Sequence, residues 1–204
     1  LVVTATSSNQ TIVPNGNITV NYTADNGADA TGGTIDITPA GNENGAVTIT
    51  VTVDDGNSTQ QDTFTFTVNA VNDAPTISDV TNKSTNEDVA TGNIAYTIND
   101  IDSTVNCTTD ITATSSNQTI VPNGNISKGG SYPNCTVNIT GDTNQNGAVT
   151  ITLQVSDGGL SNQDTFTFTV NAVNDAPTIS NVTNKSTNED TAINNIAYTI
   201  NDVD

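Results

Sequence analysis

The feature that most constrains this chain is an internal repeat. Residues Gln60–Asp102 recur as Asn162–Asp204 at a shift of 102, with six differences in 43 positions. A second match, TATSSNQTIVPNGNI, begins at Thr4 and again at Thr112, a shift of 108, so six residues are gained and lost in loops between the two blocks. A period near 100 residues is the size of a domain. It is too long for a solenoid unit, whose repeats cannot bury their apolar faces alone, and it predicts beads on a string, each with its own core.

Within a period the apolar residues alternate. In DTFTFTV, Phe166, Phe168 and Val170 fall on one side and Thr165, Thr167 and Thr169 on the other, the pattern of a half-buried strand. The same period of two recurs at Val149, Ile151, Leu153 and Val155, at Ile94, Tyr96 and Ile98, and at Cys135, Val137 and Ile139. Turn clusters such as NQNG, SDGG and PNGN separate these runs, and no stretch has a helical apolar period. About seven short strands in each ~100 residues predict an all-β chain of immunoglobulin-like or cadherin-like antiparallel β-sandwiches joined end to end. Thr is abundant because β-branched side chains pack well on a pleated surface.

Both copies of NAVNDAPTI place a proline after an acidic, polar turn, between two strands. Pro75 and Pro177 are therefore expected to open new domains. Residues 1–73 would be the C-terminal part of a first sandwich repeat, 74–175 a complete repeat, and 176–204 the N-terminal strands of a further one. The two incomplete ends together amount to one period of 102 residues. Two readings stay open. The chain is a two-period window on a long repetitive polypeptide, or separate subunits polymerise by donating strands to exposed edges. Either way the expected partners are neighbouring copies of the same repeat, head to tail.

Charge narrows the partners further. Three Lys and no Arg stand against 22 acidic residues, a formal charge of −19, which repels nucleic acid and anionic membrane surfaces. Divalent cations are the natural counterpart, and an acidic coat that only keeps a surface protein soluble is the plain alternative. No apolar run is long enough for a membrane span, and any targeting segment is expected elsewhere in the precursor. The two cysteines, Cys107 and Cys135, sit in Thr- and Asn-rich surroundings with no His and no further Cys to make a zinc site. No base is near to activate either as a nucleophile. A Cys107–Cys135 disulfide is expected, and with it an extracellular or cell-surface location.

The run VNDAPTIS, the NED that follows it, and TATSSNQTIVPNGN resemble the bacterial immunoglobulin-like and cadherin-like repeats of giant surface adhesins and extracellular fibres. That resemblance covers essentially the whole chain. It implies a secreted or surface fibre that holds an adhesive tip away from the cell, with calcium stiffening the domain junctions. A surface glycan or a host receptor would then meet parts outside this chain. Animal cadherins hold calcium through a D-x-N-D-N-x-P linker, an upstream glutamate and a D-x-D pair in the next domain. Here the linker Asn69-Ala70-Val71-Asn72-Asp73-Ala74-Pro75 has Asn at the first Asp position and Ala at the last Asn position, while Asp100-Ile101-Asp102 matches the D-x-D pair. At the second junction Asn171, Asn174 and Asp175 precede Asp202 and Asp204, and Glu87 and Asp88 are candidates for the upstream carboxylates. These twelve residues are the expected metal ligands, because calcium takes six to eight oxygens from carboxylates, Asn carbonyls and backbone carbonyls. The alternative reading is that Asn-Asp-Ala-Pro is simply a good turn.

Catalysis finds little support. Without His there is no ordinary general base near neutral pH, and no nucleophile elbow, P-loop or metalloprotease motif occurs. Paired carboxylates could cleave glycosides only in a cleft with aromatic platforms, and four Tyr with four Phe, the latter mostly in strands, do not build one. The chain is expected to be a non-enzymatic structural stalk or shaft. The alternative is an adhesive or carbohydrate-binding module, for which KGGSYPN at 128–134, with its Tyr132, is the candidate loop; closure by the cysteine pair would make it a structural staple. Lys83 and Lys185 lie in TNKSTNED and are expected in polar loops as loose surface ion pairs with the neighbouring acids.

Overall fold

A computed structural model describes residues 1–22 and 32–203. Among them there is no α-helix, only strands and two single 3-10 turns at Asn15–Asn17 and Asn123–Asn125. The chain divides into two compact units, Leu1–Asn72 and Asp73–Asp204.

The first unit contains β1 (Val2–Ser7), β2 (Ile18–Tyr22), β3 (Gly33–Ile37), β4 (Gly45–Asp54) and β5 (Thr59–Val68). They form a three-stranded sheet in the order β1-β4-β5 and a two-stranded sheet β2-β3, all antiparallel. The β4–β5 turn is held by Asp55, whose carboxylate accepts the Asn57 and Ser58 N–H groups at 2.9 and 2.7 Å. Those bonds favour the charged form and keep its carboxyl below the ordinary carboxylate range.

The second unit opens with β6 (Thr76–Ile77), β7 (Lys83–Asn86), β8 (Ile94–Asn99) and β9 (Ile111–Ser115). It continues through β10 (Ile126–Ser131), β11 (Asn134–Ile139), β12 (Gly147–Ser156) and β13 (Ser161–Asn171). These make two four-stranded sheets, β10-β11-β8-β6 and β7-β13-β12-β9. Every pairing is antiparallel except β7 with β13, which is parallel. The opening edge of the sandwich thus divides between both sheets, β6 joining one and β7 the other. Lys83 accordingly lies on a strand and not in a loop, and its ammonium donates to the Thr81 hydroxyl at 3.1 Å.

The alternation in the sequence becomes burial here. Val149, Ile151, Leu153 and Val155 of β12 and Phe166, Phe168 and Val170 of β13 face Ile94, Tyr96 and Ile98 of β8 and Val137 and Ile139 of β11 in one core. The Thr side chains between them face outward. Cys107 and Cys135 are disulfide-bonded, with Cα atoms 5.3 Å apart, and both are buried in that core. The polar neighbours in sequence point the other way, so the bridge is internal. It ties the β8–β9 loop to the start of β11 and does not close the 128–134 segment. That segment is instead the tight end of the β10–β11 hairpin. Gly130 there has φ of +92°, and a Cβ on it would lie 2.4 Å from the Asn134 carbonyl oxygen, so only glycine fits.

Residues beyond β13 contribute β14 (Thr178–Ile179) and β15 (Ile200–Asn201), a lone antiparallel pair.

Candidate cation sites at the two ends of the second unit

Two groups of acidic and amide side chains flank the second sandwich, one where the chain enters and one where it leaves. At the entry, β8 ends at Asn99 and the chain turns through Asp100-Ile101-Asp102. Asp100 makes this turn: its Oδ1 accepts the N–H groups of Asp102 at 2.8 Å and Ser103 at 3.0 Å. The residue is only 8% exposed, and its Oδ2 is buried with no hydrogen-bond partner. A lone carboxylate oxygen in that position has lost its water without replacement, which costs free energy unless a proton or a cation meets it. Asp102 is exposed and its Oδ2 accepts the Asp73 N–H at 2.7 Å, so the D-x-D pair is bound to the Asn-Asp-Ala-Pro turn through the backbone. Of the residues proposed for the first junction, Asp102 is bonded to Asp73 through that residue's backbone N–H and to Asp100 through its own. Asn69 and Asn72 are exposed residues of the first unit.

At the exit, Glu87 follows β7 and is 5% exposed. The β7–β13 pairing brings it beside the departing chain, where its N–H donates to the Asn171 carbonyl at 2.9 Å and its Oε1 accepts the Val173 N–H. Glu87 is therefore a buried clamp on the exit strand. Asp88, its neighbour, has φ of 59° and is exposed, the left-handed position of a turn closed by the Val89 N–H on the Asn86 carbonyl. The structure separates this pair: Glu87 points inward and Asp88 outward. Asn171 Nδ2 lies 3.5 Å from Asn86 Oδ1, and Asn174 Nδ2 donates to the Asp175 carbonyl at 2.8 Å. Asp202 is exposed beyond β15, and Asp204 lies outside the described residues.

Among the described residues no three carboxylate, thiolate or imidazole groups converge closely enough to form a metal-binding set by themselves. Any ion at the entry would depend on Asp100 together with amide and backbone oxygens. Sequence reasoning named Asp100 and Asp102 alike. It missed that the first is buried and half-satisfied and the second exposed, and it missed the clamp made by Glu87. The buried fraction of NED repeats the strand alternation of KSTNE, in which Lys83, Thr85 and Glu87 share one side, and this was the available signal.

The Tyr132 hydroxyl donates to Asn99 Oδ1 at 2.8 Å, tying the loop to the end of β8.

No protein-family model matches the sequence, and no match was found among curated proteins. Among solved structures, domains 4 and 5 of the S-layer protein SbsC match at 18% identity and a TM-score of 0.37, over 81% of this chain and 70% of that one. Titin domains z1z2, in a complex with telethonin, match at 9% identity and a TM-score of 0.42, over 83% and 89%. An endo-fucoidan hydrolase of glycoside hydrolase family 107 matches at 17% identity and 0.36, over 77% of this chain but only 24% of the hydrolase. These TM-scores are low, and nothing about function is read from them.

Proposed function

We propose that this chain is a length of an extracellular structural stalk, its repeated sandwiches serving as spacers and its acidic linkers as calcium-dependent stiffeners. The observation that carries the reading is repetition without elaboration. The 128–134 segment of the complete sandwich is the end of a hairpin whose aromatic residue, Tyr132, is tied to Asn99. The buried Cys107–Cys135 bridge supports an oxidising, extracellular setting. Calcium is supported by the orphan Oδ2 of Asp100, a hard oxygen donor of the kind that ion prefers, in the same turn as the exposed carboxylate of Asp102. A bound ion would supply fixed charge and cross-link the turn to the D-x-D loop.

The test has two arms. Calcium should raise the thermal midpoint of the chain, chelator should reverse the rise, and Asp100→Asn should abolish the response while the protein stays folded. On a glycan array the chain should bind nothing; saturable binding to a sugar would replace the stalk with an adhesive module.

A further inference from the structure

The sequence that opens the second sandwich occurs a second time at 176–203, where Thr178–Ile179 and Ile200–Asn201 are strands and, among the described residues, every side chain is exposed. Residues 176–203 match 74–101 at 23 of 28 positions. The β14–β15 pair also keeps the register of β6–β8: Thr178 opposes Asn201 and Ile179 opposes Ile200, as Thr76 opposes Asn99 and Ile77 opposes Ile98. Local bonds are reproduced too. The Thr199 N–H donates to Ser180 Oγ at 2.8 Å, as the Thr97 N–H does to Ser78 Oγ at 2.9 Å. Burial is not reproduced. Tyr198 is 60% exposed and Ile200 72%, where Tyr96 is 3% and Ile98 1%.

The first unit has the reciprocal defect. Among the described residues no strand pairs with the outer edge of β3, where β11 receives β8, or with that of β5, where β13 receives β7. Between its two sheets lies a cavity of about 280 Å³ lined by Val3, Val20, Tyr22, Ile35, Val51 and Val53. By the repeat shift Ile35, Val51 and Val53 correspond to Val137, Leu153 and Val155, which pack in one core with Ile94, Tyr96 and Ile98.

We propose that residues 176–203 of a second copy of this chain complete the first unit, so that copies join head to tail by strand donation. The second unit gives the register. Phe66 would face Lys185 and Asn69 would face Asn188 in the parallel pairing of Phe168 with Lys83 and Asn171 with Asn86. Gly33 would face Tyr198 and Ile35 would face Ile196, as Cys135 faces Tyr96 and Val137 faces Ile94. The polar bonds transfer as well. Asp62 would accept the Val182 N–H as Asp164 accepts that of Val80 at 2.8 Å, and Asn184 would accept the Thr65 N–H as Asn82 accepts that of Thr167 at 2.9 Å. Glu189 would clamp Val71 as Glu87 clamps Val173. Gly33 stands where the second unit has Cys135, so the first unit needs no disulfide partner at that position. The contacts of one hydroxyl are lost: Ile193 replaces Thr91, whose Oγ1 accepts the Ile139 N–H at 3.0 Å and donates to Asn138 Oδ1 at 3.4 Å.

The proposal deepens the stalk reading by naming the partner, and its test is separate. Thr34 and Ala197 are exposed, and their counterparts Thr136 and Ala95 lie directly opposite each other across a strand pair, within disulfide reach. The chain has no free cysteine of its own. After mild oxidation, the Thr34→Cys, Ala197→Cys chain should run on a non-reducing denaturing gel as a ladder in steps of 21.0 kDa, and each single variant should stop at the dimer. Adding Tyr198→Asp and Ile200→Asp should remove the ladder and leave the thermal transition of the second sandwich in place, because Tyr96 and Ile98 are untouched. Free thiols with no ladder, thiols consumed within a monomer, or a ladder that survives the two Asp substitutions would each overturn the proposal. Such a failure would leave the stalk reading standing, since repeats joined in one polypeptide serve it equally. Glycan binding would remove the stalk and leave this assembly untouched.

Discussion

The five strands of the first unit recur in the second as β9–β13, and the two units do not have the same interior. In the second, nineteen buried residues form one cluster. In the first, the fully buried cluster among the described residues is Ile12, Val13, Val47 and Ile49, with Phe66, Val68 and Val51 only partly covered. The β5 and β13 sequences QQDTFTFTVN and NQDTFTFTVN differ at one position, yet Phe64 is 41% exposed and Phe166 3%. What differs is the opposing layer. Pairing two strands satisfies their backbone groups, but an apolar face is buried only when a second sheet lies over it. Strand formation and core formation are therefore separable in this chain, since ten residues that differ only at Gln60 and Asn162 make a strand in both units and a closed core in one.

The largest expected effect contrasts equivalent phenylalanines. Phe168→Ala should destabilise the second unit by about 3–5 kcal/mol in urea unfolding, the cost of emptying a fully buried site. Phe66→Ala, in a half-covered site, should cost less than half of that. Equal costs would break the comparison, and a Phe66→Ala cost that rises with protein concentration would sharpen it into strand donation.

Alkaline pH tests the β8 core. Burial of the Tyr96 ring, whose hydroxyl is buried without a partner, pushes its pKa from the ordinary 10.0 up to about 12. Between those values the unfolded chain releases a proton that the folded one retains. The stability from the neutral phenol is thus full below pH 10 and is lost as pH rises toward 12. A rise from 10.0 to about 12 corresponds to at most about 2.7 kcal/mol, an upper bound on the expected loss. Tyr96→Phe should flatten this stretch of the stability profile, and an unchanged slope would refute the assignment.

The smallest effect concerns a single hydrogen bond. Asn82→Ala removes the acceptor of the Thr167 N–H and should cost about 1 kcal/mol. Asn184→Ala, at the equivalent position in the uncovered copy, should leave the melting of dilute protein unchanged. A cost at high concentration alone would mark Asn184 as an interface residue.

Much of this architecture was legible in the residues. Alternating Phe and Thr in β13, Val, Ile and Leu in β12, and the repeat that places them a domain apart follow from side chains pointing to opposite faces at every second position. The disulfide was legible as a pair, because two cysteines without metal partners leave little else to do. Its place was not, since the polar residues flanking Cys135 on β11 alternate outward and the sulfur goes in. Nor could the sequence distinguish Asp100 from Asp102. Both end a strand in an acidic turn, and only the layer packed over Asp100 makes it a buried carboxylate with one oxygen unsatisfied.

The sequence by itself therefore determined the alternation, the facing it imposes and the period, all of which rest on local stereochemistry and the order of apolar residues. Tertiary structure alone decided which copies of those strands are interior. Tyr96 and Tyr198 sit in the same seven-residue run, NIAYTIN, and one is core while the other meets water. Burial is a property of the partner that lies across the sheet, and a strand cannot encode on its own whether that partner is present.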